Sequence, residues 1–252
     1  MIFENLIKTN LRTQTYGRVI EYYQIINSTN KEAKALIENN EANHGMIIIS
    51  DNQKDGKGRS NNSWFMSPGK GLAMSLIHLK PLPFAKASLI PLAAGLAVAK
   101  SLENRGLNPK LKWPNDIFIN NKKVGGILCE SKIKDGVVDS LIIGIGINVN
   151  ESPVDFPDKI KNIATSLFIE SGYSHQRELI CAIITTYLER MIEDLGSVAD
   201  LWLTYCNHLN KKVEFKYNNR RHTGIFQGIN KDGLALVLID KKIAELPSII
   251  IN

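Results

Sequence analysis

Residues 110–149 read KLKWPNDIFINNKKVGGILCESKIKDGVVDSLIIGIGINV. Two short apolar runs, Lys110 to Trp113 and Asp116 to Ile119, flank Pro114, and Asn120-Asn121 is the asparagine pair of a tight hairpin turn. Gly126 to Lys132 and Val137 to Val149 then read as a second hairpin around Asp135-Gly136. Their alternation is poor and their content is Ile, Leu and Val, which predicts strands covered on both faces. Such a sheet needs helices to cover it, and the flanking sequence supplies them.

Upstream, Arg18 to Ile26 is a strand-like run rich in Tyr and Ile. It meets the helix-start signal Asn27-Ser28-Thr29-Asn30, with Glu32 three residues after Thr29, so a helix is predicted to about Asn39. Met46 to Ser50 and Leu72 to Leu79 read as strands, and Pro83 to Arg105 as an Ala- and Leu-rich helix interrupted or restarted near Pro91. Downstream, Arg177 to Leu195 and Val198 to Asn207 have amphipathic helical spacing. The composition then shifts. Lys211 to Tyr217, Arg220 to Ile229, Leu234 to Ile239 and a last Ile-rich run are short strands broken by Asn218-Asn219, Asp232-Gly233 and Asp240-Lys241. The expected organisation is a mixed α+β domain over residues 1–207, followed by a small β-barrel or sandwich over 208–252.

The chain has 252 residues, 44% hydrophobic and 22% charged, with ample apolar material for a core. Its net charge of +6 favours anionic partners without choosing among nucleic acid, nucleotides and acidic proteins. Cys129, Cys181 and Cys206 stand far apart with no CxxC pair, which argues against a disulfide framework or structural zinc. The opening MIFENLIKTNLR lacks the features of a secretory signal, and the weakly polar stretch Ala87 to Ala99 reads as too short to cross a bilayer. A cytoplasmic setting, without membrane association, is the expectation.

The candidate site starts from the segment Gln53 to Trp64, QKDGKGRSNNSW. Gly56 and Gly58 permit turns in which main-chain N–H groups face an anion, and Lys57 and Arg59 add charged donors. A Walker loop would need GxxxxGK followed by Ser or Thr, and a dinucleotide fingerprint a third glycine at position 61, so both are rejected. By itself the segment reads more readily as a solvated turn. Two further elements raise its meaning: Lys112-Trp113-Pro114-Asn115-Asp116 with Lys123-Val124-Gly125-Gly126, and Gly144-Ile145-Gly146-Ile147-Asn148. The double glycine indicates a close approach to the strand backbone. Gly144 and Gly146, small residues on one face, suit a flat ligand lying on a sheet.

Taken together and in this order, these elements resemble the biotin protein ligases. The matching features are Ser28-Thr29-Asn30, the loop Gly56-Lys57-Gly58-Arg59 with Trp64, Lys112 to Asp116, the strand from Lys123 to Leu128, and the strand ending at Asn148 to Asn150. The resemblance covers Arg18 to Asn150 strongly and the C-terminal β segment more weakly. It implies a class II synthetase-like mixed sheet with a small SH3-like domain, and a two-step reaction. Biotin and ATP give biotinyl-5′-AMP and pyrophosphate; a lysine of a biotin carboxyl carrier protein, as in acetyl-CoA carboxylase, then takes the biotinyl group. ATP, Mg2+ and biotin are the small molecules implied, and no side-chain metal ligands are assigned. The catalytic candidates are Lys123 and Arg59. Ser28, Thr29 and Gln53 match the positions that pair with the ureido ring, and Asn30, Gly56, Lys57, Gly58, Trp64 and Gly126 complete the substrate set. Asn115, Asp116 and Asn148 are nucleotide-side candidates. Two positions depart from the family pattern: Lys57 and Asn62 stand where arginines are usual, with Lys54 as a candidate substitute.

Three rival readings share parts of this pattern. A lipoate-type ligase shares the general fold. A non-catalytic biotin-binding module would not need Lys123. A DNA-binding regulator would need a helix-turn-helix domain, for which no room precedes Arg18, and the basic cluster Lys211, Lys212, Lys216, Arg220 and Arg221 is poorly equipped with aromatics. A free sheet edge also offers a route to a homodimer.

Overall fold

The structure, a computed structural model, describes residues 1–217, 220–247 and 249–251. The chain runs through Glu4–Asn10 (α1), Ile20–Tyr23 (β1), Thr29–Glu38 (α2), Ile47–Ser50 (β2), Leu72–His78 (β3), Leu82–Pro83 (β4) and Leu89–Glu103 (α3). Lys110–Lys112 (β5), Asp116–Ile119 (β6), Lys122–Lys134 (β7) and Val137–Ile147 (β8) follow, then Leu167–Ser171 (α4), Arg177–Glu193 (α5) and Val198–Tyr205 (α6). Lys212–Tyr217 (β9), Arg220–Ile229 (β10), Ala235–Ile239 (β11), Lys242–Leu246 (β12) and Ile250–Ile251 (β13) close the chain.

The first sheet has the order β1-β2-β3-β8-β7-β6-β5, with β4 paired to β8. Only the β1–β2 pairing is parallel, so the sheet is mixed, as expected. Its strands are covered on both faces because alternate residues enter different clusters. Ile47, Ile49, Leu72, Met74 and Leu76 join the main core with α1, α3, α5 and α6, whereas Ile48, Ile77 and Ile142 pack with Ala33 and Leu36 of α2. The hairpin residues Asn120 and Asn121 both take positive φ, as do Asp135 and Gly136, as tight two-residue turns require.

The third helix restarts at Leu89, two residues before Pro91, in line with the restart expected near that proline. Pro91 is the third residue of α3, in the first turn, where its missing N–H has no carbonyl to satisfy. Twelve of the fifteen α3 residues are buried, which is why its composition is apolar on all sides. Several sequence expectations are corrected. Phe84–Glu103, at 20 residues, is long and apolar enough to cross a membrane, but 67% of its most apolar window is buried, as the core helix of this fold. The capping residue of α2 is Ser28, one position earlier than the Thr29–Glu32 pattern implied, and Glu32 instead accepts from Tyr23 Oη at 3.2 Å. Strand β7 starts at Lys122 rather than Gly126, and α1, α4 and the separate strand β12 were not anticipated. The Asn218-Asn219 turn lies outside the described residues.

The C-terminal strands form one antiparallel sheet of order β12-β11-β10-β9-β13, the small β unit the resemblance implies. Its inner residues Val213, Phe215, Phe226, Val237 and Ile251 belong to the same core cluster as the large sheet. The Asp232-Gly233 turn docks on the residue that follows β5, where Trp113 Nε1 donates to Gly233 O at 3.2 Å. Gly233 has φ +82°, and an added Cβ would lie 3.0 Å from Ser88 O, so both conformation and space favour glycine. At the other end of the molecule, buried Arg177 of α5 donates to Asp51 Oδ1 at 2.6 Å, and Tyr22 Oη donates to Asp51 Oδ2 at 2.6 Å. These bonds hold the end of β2, the root of the glycine loop.

Candidate active site

On β8, Ile143, Ile145 and Ile147 enter the main core, so Gly144 and Gly146 face the α2 side. Their ladder partners are Ser75 and Ala73 on β3, and Leu128 and Gly126 on β7. These small residues leave a shallow floor, roofed by residues 57–64 and the start of α2. The resulting cleft has a volume of about 160 Å³ and is open to solvent; Ile249 and Ile251, near the end of the chain, also line it.

The glycines serve a different purpose from the one inferred from sequence. A Cβ on Gly144 would lie 2.3 Å from Asn30 Oδ1, and one on Gly146 would lie 2.5 Å from Trp64 Cε2. Those faces are therefore filled by the protein's own Asn30 and Trp64, not left for a flat ligand. Gly125 has backbone at close range: its Cβ would meet Gly146 O on the neighbouring strand at 2.9 Å. Gly126 is open, with Lys123 Cε the nearest atom at 3.5 Å, and it lines the cleft.

One end of the cleft is neutral and polar. Gln53 Oε1 accepts from Thr29 N at 2.8 Å, satisfying a first-turn N–H of α2 that an N-cap side chain normally takes. The Ser28 hydroxyl makes no cap bond and lines the cleft instead. Thr29 and Gln53 line it too. Asn30 is turned into the sheet. Its Nδ2 donates to Glu130 Oε2 at 2.6 Å and to Leu128 O at 3.2 Å, and its Oδ1 accepts from Ser75 Oγ at 2.6 Å.

The other end is cationic. Among the described lining residues Arg59, Lys112 and Lys123 carry positive charge around Asp116, the sole acidic one, while the fourth cation, Lys57, faces Asp55 at 3.9 Å. Lys123 Nζ lies 2.6 Å from Asp116 Oδ1, both half-buried. Lys112 and Asp116 are direct partners across β5 and β6. Burial draws the Lys112 ammonium below its usual pKa, with Asp116 opposing and Lys123 adding to the shift. Burial likewise lowers Arg59, against the pull of Asp116. A surplus of partly desolvated cations favours an anion over water there. Asn115 orients this end, since its Oδ1 accepts from Arg59 Nη1 at 3.4 Å and its Nδ2 donates to Ile127 O at 2.9 Å. Lys57 and Ser63 bridge, and Gly58 N donates to Asn62 O at 2.8 Å, folding the loop back over the cleft.

The structure thus brings together Ser28, Thr29, Gln53, Lys57, Gly58, Arg59, Trp64, Asn115, Asp116, Lys123 and Gly126, with Asn30 beneath them. Three predicted positions fall elsewhere. Asn148 is 4% exposed and donates to Thr165 O at 2.9 Å, off the cleft, so it ties β8 to the following segment. Buried Gly56 supports Trp64: its carbonyl accepts from Trp64 N, and a Cβ would meet Trp64 O at 2.6 Å. Lys54 is exposed and does not line the cleft, so it does not stand in for the arginine that Asn62 replaces. Sequence reading assigns no site role to Ser75, Glu130, Ile249 or Ile251, and includes Lys112 only as part of a motif. Lys112 was recoverable, since a lysine four residues before an aspartate across a turn places opposite charges face to face. Ser75 and Glu130 carry no local signal, because their meaning depends on which strands are neighbours.

The sequence model of the biotin/lipoate A/B protein ligase family matches residues 22–148. The chain is 34% identical over 251 residues to the bifunctional ligase/repressor BirA of Bacillus subtilis, covering 97% of this chain and 77% of that protein. Among solved structures it is similar to a biotin protein ligase from Aquifex aeolicus in complex with biotin and ATP. That match has TM-score 0.79 and 27% identity, covering 93% of this chain and 99% of the other. A Leishmania major biotin protein ligase in complex with biotinyl-5-AMP shares the fold, with TM-score 0.61 and 22% identity over 91% of this chain and 98% of the other.

Proposed function

Since the chain belongs to the biotin/lipoate A/B protein ligase family, we propose that this cleft is where it joins biotin to ATP, forming biotinyl-5′-AMP, and from which biotin passes to a carrier lysine. The observation that carries this reading is the cleft's division: neutral donors and acceptors around Thr29 and Gln53, and three cations, Arg59, Lys112 and Lys123, gathered around Asp116. Biotin is divided in the same way, with a ureido ring at one end and a carboxylate at the other.

In the first step a biotin carboxylate oxygen attacks the α-phosphorus of ATP. A carboxyl–phosphate anhydride bond forms, the α–β phosphoanhydride bond breaks, and pyrophosphate leaves with the electron pair. Two anions must meet, so the cost to offset is charge repulsion. Lys123 and Arg59 stand where both anions converge and stabilise the charge that builds up between them. Lys112, on the same side of Asp116, shares that task. Asp116 holds Lys123 in place and tempers the local positive charge before substrates arrive. A magnesium ion would supply further neutralisation of the phosphates. With Asp116 the sole carboxylate among the described lining residues, it would be held mainly by phosphate oxygens. In the second step the uncharged amine of a carrier lysine attacks the mixed-anhydride carbonyl, the amide forms, and AMP leaves. A biotin carboxyl carrier domain is the protein substrate proposed; no DNA or membrane partner is invoked.

The ureido-specific polar end favours biotin over lipoate, whose dithiolane ring offers no N–H or C=O to pair with Thr29, Gln53 and Ser28. Pyrophosphate release from ATP is expected to require biotin and to stay at background with lipoate. Equal release with both, or release with lipoate alone, would assign the chain to the lipoate branch.

A further inference from the structure

Below Thr29 runs a chain of side chains whose hydrogen-bond direction is set at one end. Glu130 Oε2 is 2.6 Å from Asn30 Nδ2, Asn30 Oδ1 is 2.6 Å from Ser75 Oγ, and Ser75 Oγ is 2.7 Å from Thr29 Oγ1. Asn30, Ser75 and Thr29 are all buried, Ser75 completely. A carboxylate and a main-chain carbonyl accept only, so Glu130 and Leu128 O fix the Asn30 amide with its nitrogen towards them. Asn30 Oδ1 then faces Ser75 and can only accept, which takes the single Ser75 proton. Ser75 must in turn accept from Thr29. The other acceptor near the Thr29 hydroxyl, Gln53 Oε1 at 3.2 Å, also belongs to the protein. The Ser75 contact is the shorter at 2.7 Å and has no other proton, so it takes the Thr29 proton, which is directed away from the cleft.

From this geometry we propose that Glu130 is a positioning residue: through Asn30 and Ser75 it makes the Thr29 hydroxyl a hydrogen-bond acceptor towards the ligand, selecting an N–H at that point of the ring. The inference rests on the biotin reading of the cleft. It extends that reading by stating which polarity the protein enforces and from how far away. Gln53 contributes the complement. Its Oε1 is engaged by Thr29 N, which leaves its Nε2 to donate, so acceptor and donor stand side by side as the N–H and C=O of a cyclic urea require. Gly144 belongs to the device as well, because any side chain there would displace the Asn30 amide.

The test measures binding of biotin, and of its two cyclic carbamate analogues with one or other ureido N–H replaced by oxygen, to the full-length chain. In the unsubstituted protein one carbamate is expected to bind at least roughly tenfold more weakly than biotin, because ring oxygen and Thr29 Oγ1 would meet as two acceptors. Glu130→Gln adds a donor at the head of the chain, which allows the Asn30 amide to turn over and the sequence of donors to reverse. In that variant the carbamate penalty is expected to shrink to about threefold or less, while Leu128 O preserves part of the original direction. Ser75→Ala, which cuts the chain below Thr29, is expected to shrink the same ratio. Glu130 is exposed at the surface of β7, so Glu130→Gln is not expected to unfold the protein. A purely structural role would weaken biotin and carbamate equally. An unchanged ratio in Glu130→Gln, or no discrimination by the unsubstituted protein, overturns the relay and leaves the biotin reading standing. Failure of the unsubstituted protein to bind biotin overturns both.

Discussion

Lys123→Ala is expected to lower the rate of adenylate formation by on the order of 10²–10³-fold while biotin affinity falls far less. The ammonium is the closest cation to Asp116, at 2.6 Å, and stands at the charged end of the cleft, away from Ser28, Thr29 and Gln53. Its removal therefore acts twice. It deletes a positive charge where carboxylate and α-phosphate meet, and it strips Asp116 of its 2.6 Å partner, leaving its negative charge less well balanced beside them. Single-turnover adenylation and equilibrium biotin binding separate the two ends of the site. The second effect is isolated by adding Asp116→Asn: the double variant should recover part of the loss, on the order of tenfold, because the stranded carboxylate is gone. A double variant slower than Lys123→Ala would mean that Asp116 acts directly on the nucleotide rather than through Lys123.

Gly146→Ala is expected to destabilise the protein by about 1–3 kcal/mol and to disturb the loop over the cleft. The added Cβ would lie 2.5, 2.7 and 2.9 Å from three atoms of the Trp64 indole. Strand β8 cannot yield, since Gly146 is paired with Ala73 on one side and Gly126 on the other. The rigid indole must swing out, and with it the segment whose Gly56 and Trp64 backbones are bonded. Biotin affinity should fall by at least tenfold together with Tm. The neighbouring Gly126→Ala is the control for stability, because its Cβ would find nothing closer than 3.5 Å. Its Tm should stay near that of the unsubstituted protein. Similar losses of Tm in both variants would show that strand propensity, not the seat of Trp64, governs the glycine at position 146.

The parts of this fold that sequence reveals are those decided by neighbours in the chain. Asn120-Asn121 and Asp135-Gly136 give away two hairpins because the turn chemistry lies in the two residues themselves. The Ser28 region marks the start of α2 within one residue for the same reason. Pro91 marks the restart of α3 to within two residues, because a proline is tolerated throughout the first turn of a helix. α1 has no strong periodic signal and is held by tertiary contacts such as Phe3 N to Glu178 Oε1 at 3.1 Å.

The site follows the same division. The glycine loop, Lys123 and the Ser28–Thr29 pair are recognisable as motifs, yet what Gly144 and Gly146 make room for is visible only once Asn30 and Trp64 are placed on them. Asn148 sits in a motif and reads as a ligand, but it does not line the cleft and its Nδ2 donates to Thr165 O. Ser75 and Glu130 lie 45 and 100 residues from Asn30, so no spacing rule links them.

The central claim is that the cationic and neutral ends of one cleft unite biotin with the α-phosphate of ATP. Mass spectrometry of the small molecules after incubating the protein with biotin, ATP and magnesium tests it most directly. The account predicts biotinyl-5′-AMP in amounts comparable to the protein, formed only when both substrates are present and lost in Lys123→Ala. Folded protein that binds biotin and ATP yet yields no adenylate would contradict it.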